Sequence, residues 1–96
     1  MAETQTATTF NERMAHWTRQ GLSGSALFEA LATDDNLPAF FEDKDIAAIE
    51  RVKLNAIKQR RYRNTGPSFI RMSWKSVKYS RPDYCRSLAA RFVKAA

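Results

Sequence analysis

The cations Lys53, Lys58, Arg60, Arg61 and Arg63 fall within the stretch Val52 to Arg63, which contains no acid. Read as a helix, the stretch separates into two faces. Val52, Ala56, Ile57 and the stem of Arg60 lie on one side, and Asn55, Lys58, Gln59 and Tyr62 on the other. Asn55 and Gln59 stand four apart. Each carries a planar amide that gives and takes a hydrogen bond at once, the pattern an adenine edge presents in the major groove. Lysines and arginines around such a pair suit phosphates. A charged helix face is more often plain solvated surface, so the elements that would mount this helix decide how much weight it carries.

Other chemistry is thinly represented. One histidine and one cysteine cannot build a structural zinc site, and a lone cysteine cannot form an internal disulfide. Cys85 reads as a small buried apolar residue and His16 as a surface or partly packed one. Glu42, Asp43 and Asp45 have no companion base, nucleophile or metal ligand, and suit the positive start of a helix. With no phosphate loop or nucleophile–base pair, neither an enzyme nor a cofactor is expected.

The 96 residues allow one small domain with a modest core. Net charge is +6 with a pI near 9.9, which favours an acidic polymer as partner. The charge is uneven. Residues 1–36 hold two cations against five acids, a net −3, whereas residues 37–96 hold fourteen against five, a net +9. No apolar run is long enough to span a membrane, and the first residues lack the layout of a signal peptide, so no membrane role and a cytoplasmic, nucleoid-associated location are expected.

The expected organisation is a disordered tail over 1–9, an N-terminal helical extension over 10–36 and a DNA-binding domain over 37–96. Asn11 caps a helix carrying Met14 and Trp17 that ends at Gly21, and Ser23 or Ser25 caps a second with Leu27, Phe28 and Leu31. Asp34-Asp35-Asn36-Leu37-Pro38 reads as a turn and internal boundary. A short helix around Ile46, Ala47 and Ile49 leads through Glu50-Arg51-Val52 into the basic helix, forming a helix-turn-helix. Asn64-Thr65-Gly66-Pro67 stops that helix, with glycine supplying left-handed geometry. Phe69 to Met72 and Val77 to Tyr79 form two strands about a Ser73-Trp74-Lys75-Ser76 tip. Ser80 then caps a last helix with Pro82 and Asp83 in its first turn and Tyr84, Leu88 and Phe92 inward. The fold class is therefore mainly α with a small β-hairpin wing, a winged helix-turn-helix with an N-terminal helical extension.

Over about residues 40 to 92 the chain resembles the small winged helix-turn-helix proteins related to the MerR DNA-binding domain, among them phage and mobile-element excisionases. The likeness rests on Asp45-Ile46-Ala47, on Val52-Lys53, and on Ala56-Ile57-Lys58-Gln59-Arg60. It continues through Gly66-Pro67-Ser68-Phe69-Ile70 and Val77-Lys78-Tyr79-Ser80-Arg81-Pro82-Asp83-Tyr84. Two departures stand out: Arg51 where the family often has glycine, and Arg60 where it often has an aromatic residue, whose packing Tyr62 or Trp74 would replace. The resemblance implies duplex DNA binding. Asn55, Lys58 and Gln59 would read bases, with Tyr62 on the same face, and Lys53, Arg60, Arg61 and Arg63 would contact phosphates. Lys75, with Arg71 or Lys78 behind it, would reach the adjacent minor groove or backbone. Trp74 is expected to fold back onto the sheet, and Tyr79 to belong to the core.

The leading function implied is an excisionase, or recombination directionality factor, whose copies bind repeated sites, bend the duplex and assist an integrase. A small transcriptional regulator is the alternative, and a protein-binding antirepressor module the third. Adjacent copies can meet head to tail, the acidic N-terminal part with Met14, Trp17 and Phe28 against the basic part of a neighbour. Equally, those helices pad the core of their own chain.

Overall fold

In the computed structural model, which describes residues 4–91, five helices surround a three-stranded antiparallel sheet. Helix α1 runs over Gln5–Arg19. Thr4 begins it, its hydroxyl accepting from the Ala7 amide at 3.0 Å. Ala7 and Phe10 are fully buried, and Met14 and Trp17 pack behind them at helical spacing. This corrects two expectations: residues 5–9 are helical, not a tail, and the cap is Thr4, not Asn11. The Thr-rich composition hid an inward stripe that begins at Ala7. Gly21, with φ +90, turns the chain into α2, Gly24–Ala32.

The stretch expected as a boundary is a fastening. Asp34 is buried and accepts from Arg13 Nε (2.6 Å), Trp17 Nε1 (2.8 Å) and both the backbone and the side chain of Asn36. Arg81 donates to the carbonyls of Ala32 (3.0 Å) and Leu37 (2.8 Å), satisfying acceptors at and beyond the end of α2. Phe10, Phe41 and Tyr84 meet edge-on or tilted, with centroids 5.5–6.4 Å apart, so α1 shares one core with elements from the second half. The sequence signals at 34–38 mark a turn without marking a seam, because turn residues say nothing of what packs across them.

Strand β1, Phe40–Phe41, was not anticipated. It pairs with β3, Ser76–Ser80, in the register Phe40 to Ser80 and Phe41 to Tyr79. On its other side β3 pairs with β2, Ile70–Ser73, to make the hairpin wing. Between β1 and β2 lie α3, Asp43–Glu50, and α4, Leu54–Tyr62. Asp45 caps α3, its carboxylate accepting from the Glu42 amide at 3.0 Å. Helix α5, Arg81–Ala90, starts as expected, with Ser80 accepting from Asp83 and Pro82 in the first turn. Tyr84 is buried and Leu88 half-buried, whereas Phe92 lies outside the described residues.

Both members of the helix-turn-helix end on a left-handed residue that is not glycine. Arg51 has φ 57 and ψ 46, and the Val52 amide turns back to the Ala47 carbonyl at 3.0 Å. Asn64 has φ 55, and the Thr65 amide turns back to the Arg60 carbonyl at 3.0 Å. The left-handed residue after α4 is therefore Asn64 rather than Gly66. A Cβ on Gly66 would lie 3.4 Å from that of Arg60, so the loop passes at van der Waals distance over α4.

Candidate nucleic-acid interface

Helix α4 is held from both of its inner edges by ionic clamps, which divide its cations into two groups. The first clamp centres on Glu50 at the end of α3. Its carboxylate, one-tenth exposed, accepts from Arg60 (2.7 Å), from the Tyr84 hydroxyl (2.7 Å) and from Arg91 (3.1 and 3.3 Å). Burial pushes its pKa up, but the hydrogen bonds from Arg91, Arg60 and Tyr84 outweigh that and hold it below the ordinary value. The buried Tyr84 hydroxyl, desolvated and facing this carboxylate, has its own pKa pushed far up.

The second clamp joins α3, α4 and β3. Arg61 donates to Asp43 (2.8 Å) and to the Tyr79 hydroxyl (2.9 Å), and that hydroxyl donates in turn to Asp43 (2.9 Å). The side chains of Arg61 and Asp43 are only 15% and 16% exposed, and the guanidinium lies 5.6 Å from the Phe69 ring centre. Burial opposes its charge, but Asp43 and Tyr79 prevail and raise its pKa. Arg60 and Arg61, expected on phosphates, are thus committed to carboxylates of their own chain. Their partners lie ten and eighteen residues earlier, a distance at which helical periodicity gives no signal.

The remaining polar residues of α4 point outward. Lys53, Asn55, Lys58, Gln59, Tyr62 and Arg63 are all exposed, Tyr62 to 85%. Among the described residues none of Lys53, Lys58 and Arg63 takes part in an ion pair. Ile57 is buried and Ala56 half-buried, so the two faces fall where the spacing put them.

The wing continues this surface. Lys58 and Lys75 line one hollow of about 250 Å³ together with Leu54 and Ser76, and Glu42, Asp43 and Lys44 line it too. Lys78 is half-exposed, 3.9 Å from Glu42, which also faces Lys44 at 3.6 Å. Arg71 stands 5.8 Å from the Phe69 ring centre and Lys75 Nζ 4.6 Å from that of Trp74. Trp74 is 81% exposed. It does not fold back; the ring that packs on β3 is Phe69, tilted onto Tyr79 at 6.3 Å. Tyr79 is core, as expected. Neither Tyr62 nor Trp74 replaces the family's aromatic at Arg60, where the ion pair to Glu50 stands instead.

Cys85 is buried, and desolvation pushes its thiol up to about 12, so little reactive thiolate forms near neutrality. His16 is half-buried, edge-on to Trp17 at 4.8 Å. Met14, Trp17 and Phe28 pack against their own core, which favours the padding role over an apolar contact with a neighbouring copy. No helix among the described residues is long and apolar enough to cross a membrane. Compared with protein families, curated proteins and solved structures, the chain matches none.

Proposed function

We propose that the protein binds duplex DNA by laying α4 in the major groove and the wing against the neighbouring backbone. The observation that carries this reading is the sorting of α4: its inward arginines are neutralised by largely buried carboxylates, while its outward lysines and arginine take part in no ion pair among the described residues and its outward amides are exposed beside a basic wing. A helix with its side chains is about 10–12 Å across, which matches a major groove about 12 Å wide. Asn55 and Gln59 then face base edges with Lys58 between them. Lys53 and Arg63, at the two ends of α4, and Arg71, Lys75 and Lys78 on the wing meet phosphates. Asn55→Ala or Gln59→Ala is expected to cost about 1–3 kcal/mol of discrimination between the preferred and random sequence. An unchanged ratio in both variants would remove α4 as the reader.

Within that reading, the likeness to small excisionases supports an architectural role in recombination. Bending a site of some 20–30 base pairs costs on the order of 1–6 kcal/mol, which several bound copies can offset through phosphate contacts. Supplied with its integrase, the protein is expected to raise excision while leaving or lowering integration. Unchanged excision with altered transcription from a nearby promoter would make it a regulator instead. Binding to an acidic protein that resists DNA competition would make it an antirepressor.

A further inference from the structure

The wing tip carries a feature that groove reading does not use. The hairpin turns on Trp74 and Lys75, and neither residue has a positive φ, although two-residue hairpins turn best on asparagine and glycine in that region. The ladder compensates with an irregularity between Arg71 and Ser73. A large aromatic residue therefore occupies a position where it neither assists the turn nor enters the core, and it remains 81% exposed.

Its surroundings are specific. Lys75 Nζ sits 4.6 Å from the indole centre and covers one face of the ring. The Trp74 side chain borders a hollow of about 290 Å³ between the end of α4 and the wing, which Tyr62, Asn64, Phe69, Arg71 and Lys75 also line. Phe69 gives the hollow an apolar lining, with the guanidiniums of Arg61 and Arg71 5.6 and 5.8 Å from its ring centre. Tyr62 supplies a second exposed ring and Asn64 a side-chain amide. Aromatic faces, an amide and two cations in a space at the small end of ligand pockets are what a flat heterocycle attached to a phosphate requires.

We propose that this hollow is a stacking site for one unpaired nucleobase, with the Trp74 indole as its platform and Arg71 and Lys75 holding the phosphates of that nucleotide. The site rests on the nucleic-acid reading above and sharpens it: the protein prefers DNA in which a base next to the bound duplex is free to leave the stack, as at a fork or a melted step. Stacking is tolerant of base identity, because every base has a π face. The preference is thus for strand structure, and sequence reading stays with α4.

Three labelled DNAs that share one duplex test the proposal: a blunt end, a forked end with both strands unpaired, and the same fork built of abasic residues. Anisotropy at low salt is expected to give roughly tenfold tighter binding to the base-bearing fork than to either of the others. Trp74→Ala should abolish that advantage and leave blunt-duplex affinity essentially unchanged, since the charge of Lys75 stays; Trp74→Phe should keep most of it. The side chain is exposed, so the variants fold. Tryptophan emission should be quenched by the base-bearing fork in the native protein and not in Trp74→Phe, with Trp17, bonded to Asp34, as a constant background. Equal affinity for the base-bearing and abasic forks overturns the proposal, as does an advantage that survives Trp74→Ala. Binding to forks without binding to the blunt duplex would overturn groove reading and leave this site standing. Binding to none of the three removes both.

Discussion

Removing the Arg61 guanidinium should loosen the fold without changing how the folded protein meets the duplex. Breaking a fully buried ion pair costs about 3–5 kcal/mol. The 15–16% exposure left to Arg61 and Asp43 and the Tyr79 hydroxyl that still donates to the carboxylate bring the ionic part down to about 1.5–3 kcal/mol. Loss of the guanidinium beside Phe69 adds about 0.5–1 kcal/mol. Arg61→Ala is thus expected to destabilise by about 2–4 kcal/mol, and at about 4–8 °C per kcal/mol in a chain of this size the melting midpoint falls by at least about 8 °C. Lys53→Ala, exposed at the start of α4, should change stability by less than about 0.5 kcal/mol and flatten the salt dependence of duplex binding by about 1 in slope. Urea titrations and anisotropy over a salt series measure both quantities on the same preparations. A loss below about 1 kcal/mol for Arg61→Ala, accompanied by a flatter salt slope, would refute the division of α4 into clamp and contact.

Two further perturbations test the frame around that helix. Burial pushes the Asp34 carboxyl up, but the bonds from Arg13, Asn36 and Trp17 prevail and lower it from 3.8 to about 2, so its contribution is complete above about pH 5 and is lost as pH falls towards 2. Urea midpoints should be flat from neutrality to about pH 5 and then drop. Asp34→Asn should make that drop shallower without abolishing it, since the depressed Glu50 adds to it with the same sign; an identical drop would rule Asp34 out. Arg51, exposed and held at φ 57, occupies a region that disfavours any residue with a Cβ, so Arg51→Gly should raise stability by about 0.5–1 kcal/mol. A lower urea midpoint in that variant would mean that the turn is not strained.

The local rules that work from the sequence are those whose cause is local. Asn64 to Pro67 stops α4, Ser80 and Pro82 start α5, and period-two spacing places Val77 and Tyr79 inward on β3, because capping groups, restricted φ and alternation act within a few residues. The mainly α class with a small hairpin wing follows from these signals. What escaped depends on partners far along the chain. Phe40–Phe41 is too short for a strand pattern and becomes β1 only beside β3. The Thr-rich start of α1 reads as polar because Ala7 and Phe10 are only two positions of a stripe, whose worth comes from Phe41 and Tyr84. Among the candidate contacts, Asn55, Lys58, Gln59 and Tyr62 lie outward as their spacing implies, and Lys53 and Arg63 at the ends of the helix are exposed as well. Arg60 and Arg61 were indistinguishable from them by type, and only Glu50, Asp43 and Tyr79 brought into reach by the fold turn them into clamps. Trp74 escaped for the converse reason: apolar bulk argues for burial, but Phe69 is the aromatic residue that packs on β3 and Trp74 stays exposed.

The salt dependence of duplex binding reads the phosphate contacts of α4 and the wing directly. The five cations set against phosphates, Lys53 and Arg63 at the ends of α4 with Arg71, Lys75 and Lys78 on the wing, displace about 0.9 counterion each, so log K against log salt should fall with a slope of about −4 to −5. A slope flatter than about −1, or no duplex binding at low salt, would mean that α4 and the wing do not lie against a DNA backbone.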